Sequence, residues 1–122
     1  MNYPWLDKFL LSHKGTKKDF KVEWQWTRYL VGGKMFAAIC KNNNGNDTIV
    51  TLKLDPLDGD FLRKQFEDIN PGYYMNKKHW NSVNLDGDVP DEILKDMADK
   101  SYHLVFNGLS KKLQNEIKNS ID

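Results

Sequence analysis

Residues 71–90 compress two turn signals, three large aromatics, a basic pair and a helix start into one short stretch. Asn70-Pro71-Gly72 breaks the preceding helix, because proline lacks the amide a helix needs and glycine admits turn geometry. A short extended piece, residues 73–75, then reaches a turn at residues 76–79, and Trp80 opens a returning strand that runs to Leu85. Asp86-Gly87 ends that strand. Asp88 is placed to cap a following helix, with Asp91 three residues later as a weak capping box. This fixes a strand pair that feeds directly into a helix.

The rest of the chain is punctuated in the same way. Asn2 can cap a first helix in which Trp5, Leu6, Phe9 and Leu10 recur at helical spacing, and Gly15 closes that region. Phe20, Val22, Trp24 and Trp26 alternate with Lys21, Glu23 and Gln25, which predicts a strand with one buried face. Tyr29-Leu30-Val31, the pair Gly32-Gly33 and residues 35–40 read as a hairpin, since paired glycines supply the positive φ of a two-residue turn. An Asn/Gly cluster at residues 42–47 makes the next turn, and residues 48–54 form a third strand. Asp55-Pro56 starts a helix carrying Leu57, Phe61, Leu62 and Phe66 as its apolar stripe. Ile93, Leu94, Met97, Ser101, Leu104 and Val105 mark a long helix. Gly108 ends it, and Ser110 caps a short last helix through Leu113 and Ile117. The expected fold is a two-layer α+β domain spanning residues 1–122. Its five-stranded antiparallel sheet is packed by helices in the order α-βββ-α-ββ-α-α.

With 122 residues, 39% hydrophobic and 29% charged, the chain suits one folded soluble core. No apolar run approaches the roughly 20 residues of a membrane-spanning helix. The N-terminus also lacks the pattern of a secretory signal, so a cytoplasmic location is expected, with no membrane partner. The one cysteine, Cys40, excludes an internal disulfide and reads as a small buried hydrophobe. Net charge is only +1, yet it is uneven: residues 1–41 carry eight Lys/Arg against three Asp/Glu. Any anion-binding surface must therefore be local.

Several blocks together resemble the MmcQ/YjbR family. They are Asn76-Lys77-Lys78-His79-Trp80, Val83-Asn84-Leu85-Asp86-Gly87, Val89-Pro90 and Ser101-Tyr102, with Lys34-Met35-Phe36-Ala37 and Leu52-Lys53-Leu54 earlier. The resemblance covers roughly residues 15–112. It implies a bacterial type of protein with a compact α+β fold and brings a proposed "double wing" mode of DNA binding, without an established catalytic activity; no enzyme activity and no cofactor are expected.

Candidate residues follow from both readings. Lys77, Lys78 and His79 would form a basic hairpin wing that contacts phosphates, while Trp80 is accounted for by core packing. Lys17, Lys18, Lys21, Arg28 and Lys34 supply most of the N-terminal positive excess. Set beside Lys77-Lys78 they would bind duplex DNA weakly, in a salt-sensitive way; the competing reading is a solubilising face. The acids Asp88, Asp91, Glu92, Asp96 and Asp99 read as a solvated helix face, because Asp91–Lys95 and Asp96–Lys100 have the spacing of surface ion pairs. His13, His79 and His103 show no metal-ligand spacing with one another or with Cys40, so no metal site is expected. Core packing accounts for Trp24 and Trp26. A protein-interaction module using an edge strand or aromatic surface, including self-association, is the alternative function. An enzyme or small-molecule binder is the third.

Overall fold

The computed structural model describes residues 1–41, 44–72 and 76–120. The elements run α1 (Leu6–Leu11), β1 (Thr16–Lys21), β2 (Trp26–Val31), β3 (Lys34–Lys41), β4 (Asp47–Lys53) and α2 (Pro56–Gln65), then β5 (Ile69–Pro71), β6 (Trp80–Asn84), α3 (Asp91–Asn107) and α4 (Lys111–Lys118). Six strands form one sheet in the order β1-β2-β3-β4-β6-β5, and every neighbouring pair is antiparallel. The α+β class and its helix order stand. The strand count does not, because the first expected strand is two strands.

The reason lies in residues 22–25. Their alternation of apolar and polar side chains reads as strand, but Gln25 adopts φ of 58° and the chain reverses there. The Trp24 amide donates to the Lys21 carbonyl and the Gln25 amide to the Val22 carbonyl, at 3.2 Å each. Phe20, Val22 and Trp24 are consequently 44%, 65% and 53% exposed, and only Trp26 of the expected buried face is buried. Chain reversal outweighs periodicity here.

Helices cover one face of the sheet. Tyr29, Val31, Ala37, Ile39, Val50, Leu52 and Val83 point into the main core, where they meet Leu6 and Leu10 of α1 and Leu94, Met97, Ala98 and Val105 of α3. Each of the Val, Leu, Ile and Met side chains among them contributes about 1.5–3 kcal/mol when taken from water. Leu62 of α2, Phe66 just after it, and Leu113 and Ile117 of α4 pack at the margin of the same core. The opposite face carries a smaller cluster of Trp26, Ala38 and Cys40, flanked by Met35 and Ile49.

Other local expectations divide by whether tertiary contacts intervene. Asp55 caps α2 through the Leu57 amide at 3.1 Å, and Ser110 caps α4 through the Leu113 amide at 3.1 Å. Asn2 does not cap α1; its side chain donates to the Gly87 carbonyl at 2.8 Å and its amide to Leu85. That ties the N-terminus to the β6–α3 turn. Asp88 does not cap α3 either, since Pro90 occupies the cap position without a side-chain bond. Asn70 and Pro71, expected with Gly72 as a break, instead belong to β5, which pairs with β6 as an edge strand, a position that tolerates proline. The extended piece expected at residues 73–75 lies outside the described residues.

Two close approaches need glycine. Gly32, at φ of 58°, sits where an added Cβ would lie 2.6 Å from Leu109 Cδ1 and 3.0 Å from Leu113 Cδ2. The β2–β3 turn is thus pressed against the start of α4. Gly72 lets the chain pass Trp80, whose carbonyl accepts the Gly72 amide at 2.7 Å.

Candidate nucleic-acid interface

Strand direction decides which cations meet. β1 begins, β2 ends, β3 begins, β4 ends and β6 begins at the same edge of the sheet, as the registers Thr16↔Val31, Val31↔Lys34 and Lys53↔Trp80 require. The β2–β3 turn and the turn at residues 76–79 therefore lie at one end. That end carries Lys17 near the start of β1, Lys34 beside the Gly32-Gly33 turn, and Lys77 and Lys78 next to Trp80. All four are exposed and make no ion pair with another described residue.

The turn holding Lys77 and Lys78 is pinned to the fold. The Asn76 side chain accepts the Lys78 amide at 2.9 Å, and the Asn76 carbonyl accepts the Trp80 amide at 2.9 Å. His79 is half-buried, and its carbonyl accepts the Leu54 amide at 2.7 Å. Trp80 heads β6 half-buried. The buried Asn81 side chain is held by Arg63 and donates to the His79 carbonyl at 3.2 Å.

The other expected cations are elsewhere or already engaged. Arg28 clasps Asp19 with two bonds of 2.8 and 2.5 Å, which lowers the Asp19 pKa and raises that of the guanidinium. Lys18 donates to Asp7 at 2.7 Å. The same carboxylate accepts the Tyr29 hydroxyl at 2.6 Å, and both bonds hold Asp7 below the usual carboxylate range. Lys21 stands at the far end of β1, 3.4 Å from Glu23 and over the Trp24 ring. Lys17, Lys34, Lys77 and Lys78 share one end of the sheet; Lys18, Lys21 and Arg28 do not join them.

Three cations at that end were not read from the sequence. Lys53 closes β4 opposite Trp80. Lys111 and Lys112 are exposed on the first turn of α4, the helix whose Leu113 packs beneath Gly32. The doublet after the Ser110 cap was the available signal, but only the packing at Gly32 shows which turn it joins.

Acids bound this region on the helix side. Asp55, Asp58, Asp99, Lys100, His103, Leu104 and Asn107 line an open cleft of about 380 Å³ between the start of α2 and α3. Asp96 pairs with Lys100 at 3.0 Å as its spacing predicts, and this pairing raises the Lys100 pKa. Lys95 does not pair with Asp91 and sits 4.9 Å over the Trp5 ring instead. His13 is caged by Phe9, Phe36 and Tyr102 and meets Asp99 at 2.6 Å, joining the end of α1 to α3. His103 bonds the Asp99 carbonyl of its own helix at 2.7 Å. Among the described residues no cluster of three or more His, Cys, Asp or Glu side chains can hold a metal ion. No helix among them is long and apolar enough to cross a membrane.

The fold and its paired turns place the chain in a class of small α+β domains, and the comparisons narrow that class. The YjbR family model matches residues 11–104. Uncharacterised protein YjbR of Escherichia coli K12 is 30% identical over 100 residues, covering 82% of this chain and 83% of the relative. Uncharacterised protein YyaQ of Bacillus subtilis is 36% identical over 107 residues, covering 84% and 82%. The crystal structure of Deinococcus radiodurans protein DR2400 superposes with a TM-score of 0.82 at 30% identity, covering 96% of this chain and 89% of that one. A Pseudomonas syringae protein of the same fold gives 0.71 at 24% identity, with coverage of 86% and 99%. The chain belongs to the YjbR family.

Proposed function

We propose that this protein is a non-catalytic, cytoplasmic DNA-binding protein that grips duplex phosphates with the β2–β3 turn and the turn at residues 76–79. One observation carries the reading: exposed lysines without acidic partners among the described residues gather at one end of the sheet, Lys17 on β1, Lys34 beside the β2–β3 turn, and Lys77 and Lys78 in the turn before β6. Lys111 and Lys112 extend the same end. Ammonium groups on short turns suit phosphate contact, because they release counterions without demanding base-specific geometry. The acidic cleft beside α2 repels the backbone and turns the duplex toward the sheet side of this end. Up to about six phosphate contacts give weak binding with a steep salt dependence.

The test is fluorescence anisotropy of a labelled duplex at two salt concentrations. Lys34→Ala, Lys77→Ala and Lys78→Ala each weaken binding similarly for unrelated duplex sequences and lower the salt slope by about one. Lys18→Ala, which removes a lysine already paired with Asp7, changes binding far less. Equal losses from all four variants would contradict the assignment.

A second reading has its own support. Leu57 and Phe61, one helical turn apart on α2, are 80% and 65% exposed beside the cleft. This departs from the expected apolar stripe, of which only Leu62 and Phe66 pack inward. An exposed apolar pair of this kind favours a protein partner on α2.

A further inference from the structure

Trp80 stands apart from the core packing expected of it. It belongs to neither buried cluster, and its ring meets no other ring among the described residues. Its backbone is nevertheless fixed: its amide donates to the Asn76 carbonyl at 2.9 Å, and its carbonyl accepts the Gly72 amide at 2.7 Å. Strand alternation sets the direction of its side chain. Val83 points into the main core and Asn81 meets Arg63 of α2, so Trp80 points to the face away from the helices. There it is half-buried, with part of its surface in solvent. An indole held in this way loses little ordering entropy when a ligand arrives.

The same alternation places its neighbours. Lys53, directly opposite Trp80, lies between Leu52 and Leu54 of the core and so points outward. Met35 flanks the Trp26 cluster on that face. Leu30 lies between the core residues Tyr29 and Val31, and Lys17 is paired with it. Lys17, Leu30, Met35, Lys53 and Trp80 thus form a row across five adjacent strands, about 19 Å long. The row lies at the end where Lys34, Lys77 and Lys78 stand.

The charge left free here is of one sign. Lys17, Lys34, Lys53, Lys77 and Lys78 make no ion pair with another described residue. The next outward residue of β1, Asp19, is clasped by Arg28. Asp55, beyond the end of β4, turns its carboxylate to the Leu57 amide of α2. Cations without acidic partners match a polyanion, and an indole in line with Leu30 and Met35 matches flat apolar groups carried on it. A closed duplex supplies the phosphates but keeps its bases in the stack. A single strand supplies both.

We infer that this row is a platform for single-stranded nucleic acid, with Trp80 as the ring on which an unpaired base stacks. This rests on the lysine end proposed above and adds the group that receives the base. Loss of one such stack costs about 5- to 150-fold in affinity. A ring with only part of its surface free falls at the low end, about 5- to 20-fold.

The experiment measures anisotropy with the full chain and three labelled probes of about 16 nucleotides: oligothymidylate, a strand of equal length that lacks its bases, and a duplex. The baseless strand keeps the phosphates and is expected to bind about 5- to 20-fold more weakly than oligothymidylate. Trp80→Ala weakens oligothymidylate binding by a similar factor and changes the other two probes by less than about twofold. Trp80→Phe keeps most of the affinity. Where Trp80→Ala lowers the melting temperature, the baseless strand decides, since it needs no variant. Lys34→Ala and Lys77→Ala weaken all three probes. Equal binding of oligothymidylate and the baseless strand, or an equal loss from Trp80→Ala on all three probes, overturns the platform and leaves the duplex reading standing. Lysine variants that leave duplex binding intact, while the dependence on bases and on Trp80 persists, overturn the duplex reading alone. No binding of any probe at low salt overturns both.

Discussion

Removing the Ser101 hydroxyl tests how the helical layer is fastened to the sheet. The β3–β4 ladder keeps register from Cys40↔Ile49 to Ala37↔Leu52, and the next position, where Phe36 and Lys53 face each other, is bridged by a side chain from α3. Ser101 Oγ donates to the Phe36 carbonyl at 2.5 Å and accepts the Lys53 amide at 2.8 Å. Ser101 is fully buried. Ser101→Ala strands two backbone groups, and each unsatisfied buried group costs about 1–3 kcal/mol. The Lys53 amide is only partly buried, so its share falls at the low end. Alanine's better helix propensity returns about 0.5 kcal/mol. The net loss is about 1.5–3.5 kcal/mol, a fall in melting temperature of roughly 6–14 °C for a chain of this size. Urea unfolding followed by circular dichroism measures it. A loss below about 1 kcal/mol with native helix content would refute the bridge, since an inert buried serine costs no more than that.

Gly32→Ala strains a left-handed turn and drives a methyl into Leu109 and Leu113; it should loosen α4, seen as faster amide exchange over residues 109–118 than in a Gly33→Ala control, whose Cβ meets nothing. Lys18 and Tyr29 lower the Asp7 pKa in the fold, so its stabilisation is fully present above the ordinary carboxylate range and is lost as pH falls through the folded value. Asp7→Asn should therefore destabilise at neutral pH and flatten the acid limb of the melting curve below about pH 4, whereas an unchanged limb would show that the Lys18–Asp7–Tyr29 link is not formed. Burial pushes the Cys40 thiol up to about 11; a thiol reagent at pH 8 should label it slowly in the native protein and quickly in denaturant, and fast native labelling would contradict its place beneath Trp26.

The sequence disclosed the elements wherever local chemistry governs them. Asp55 and Ser110 cap their helices, and Gly32-Gly33 turns its hairpin, because each acts on backbone within a few residues. It failed where a distant partner claims the same group. Asn2 is drawn away from α1 by Gly87, Lys95 leaves Asp91 for the Trp5 ring, and Pro71 joins an edge strand only because β6 lies beside it. The alternation at residues 20–26 misled for a further reason. A turn that exposes Val22 and Trp24 has the same period as a strand that buries them. The site was legible as a set of cations but not as an arrangement. Nothing in the order of residues tells that Arg28 is spent on Asp19, or that Lys34 and Lys77 leave the sheet at the same end.

The most direct test of the central claim follows backbone amide NMR signals during titration with duplex DNA at low and at moderate salt. DNA binding at the paired turns predicts shifts at Lys17, residues 32–34, residues 76–79 and the first turn of α4, fading steeply as salt rises. Shifts confined to the acidic cleft of α2 and α3, or no shifts at low salt, would contradict it.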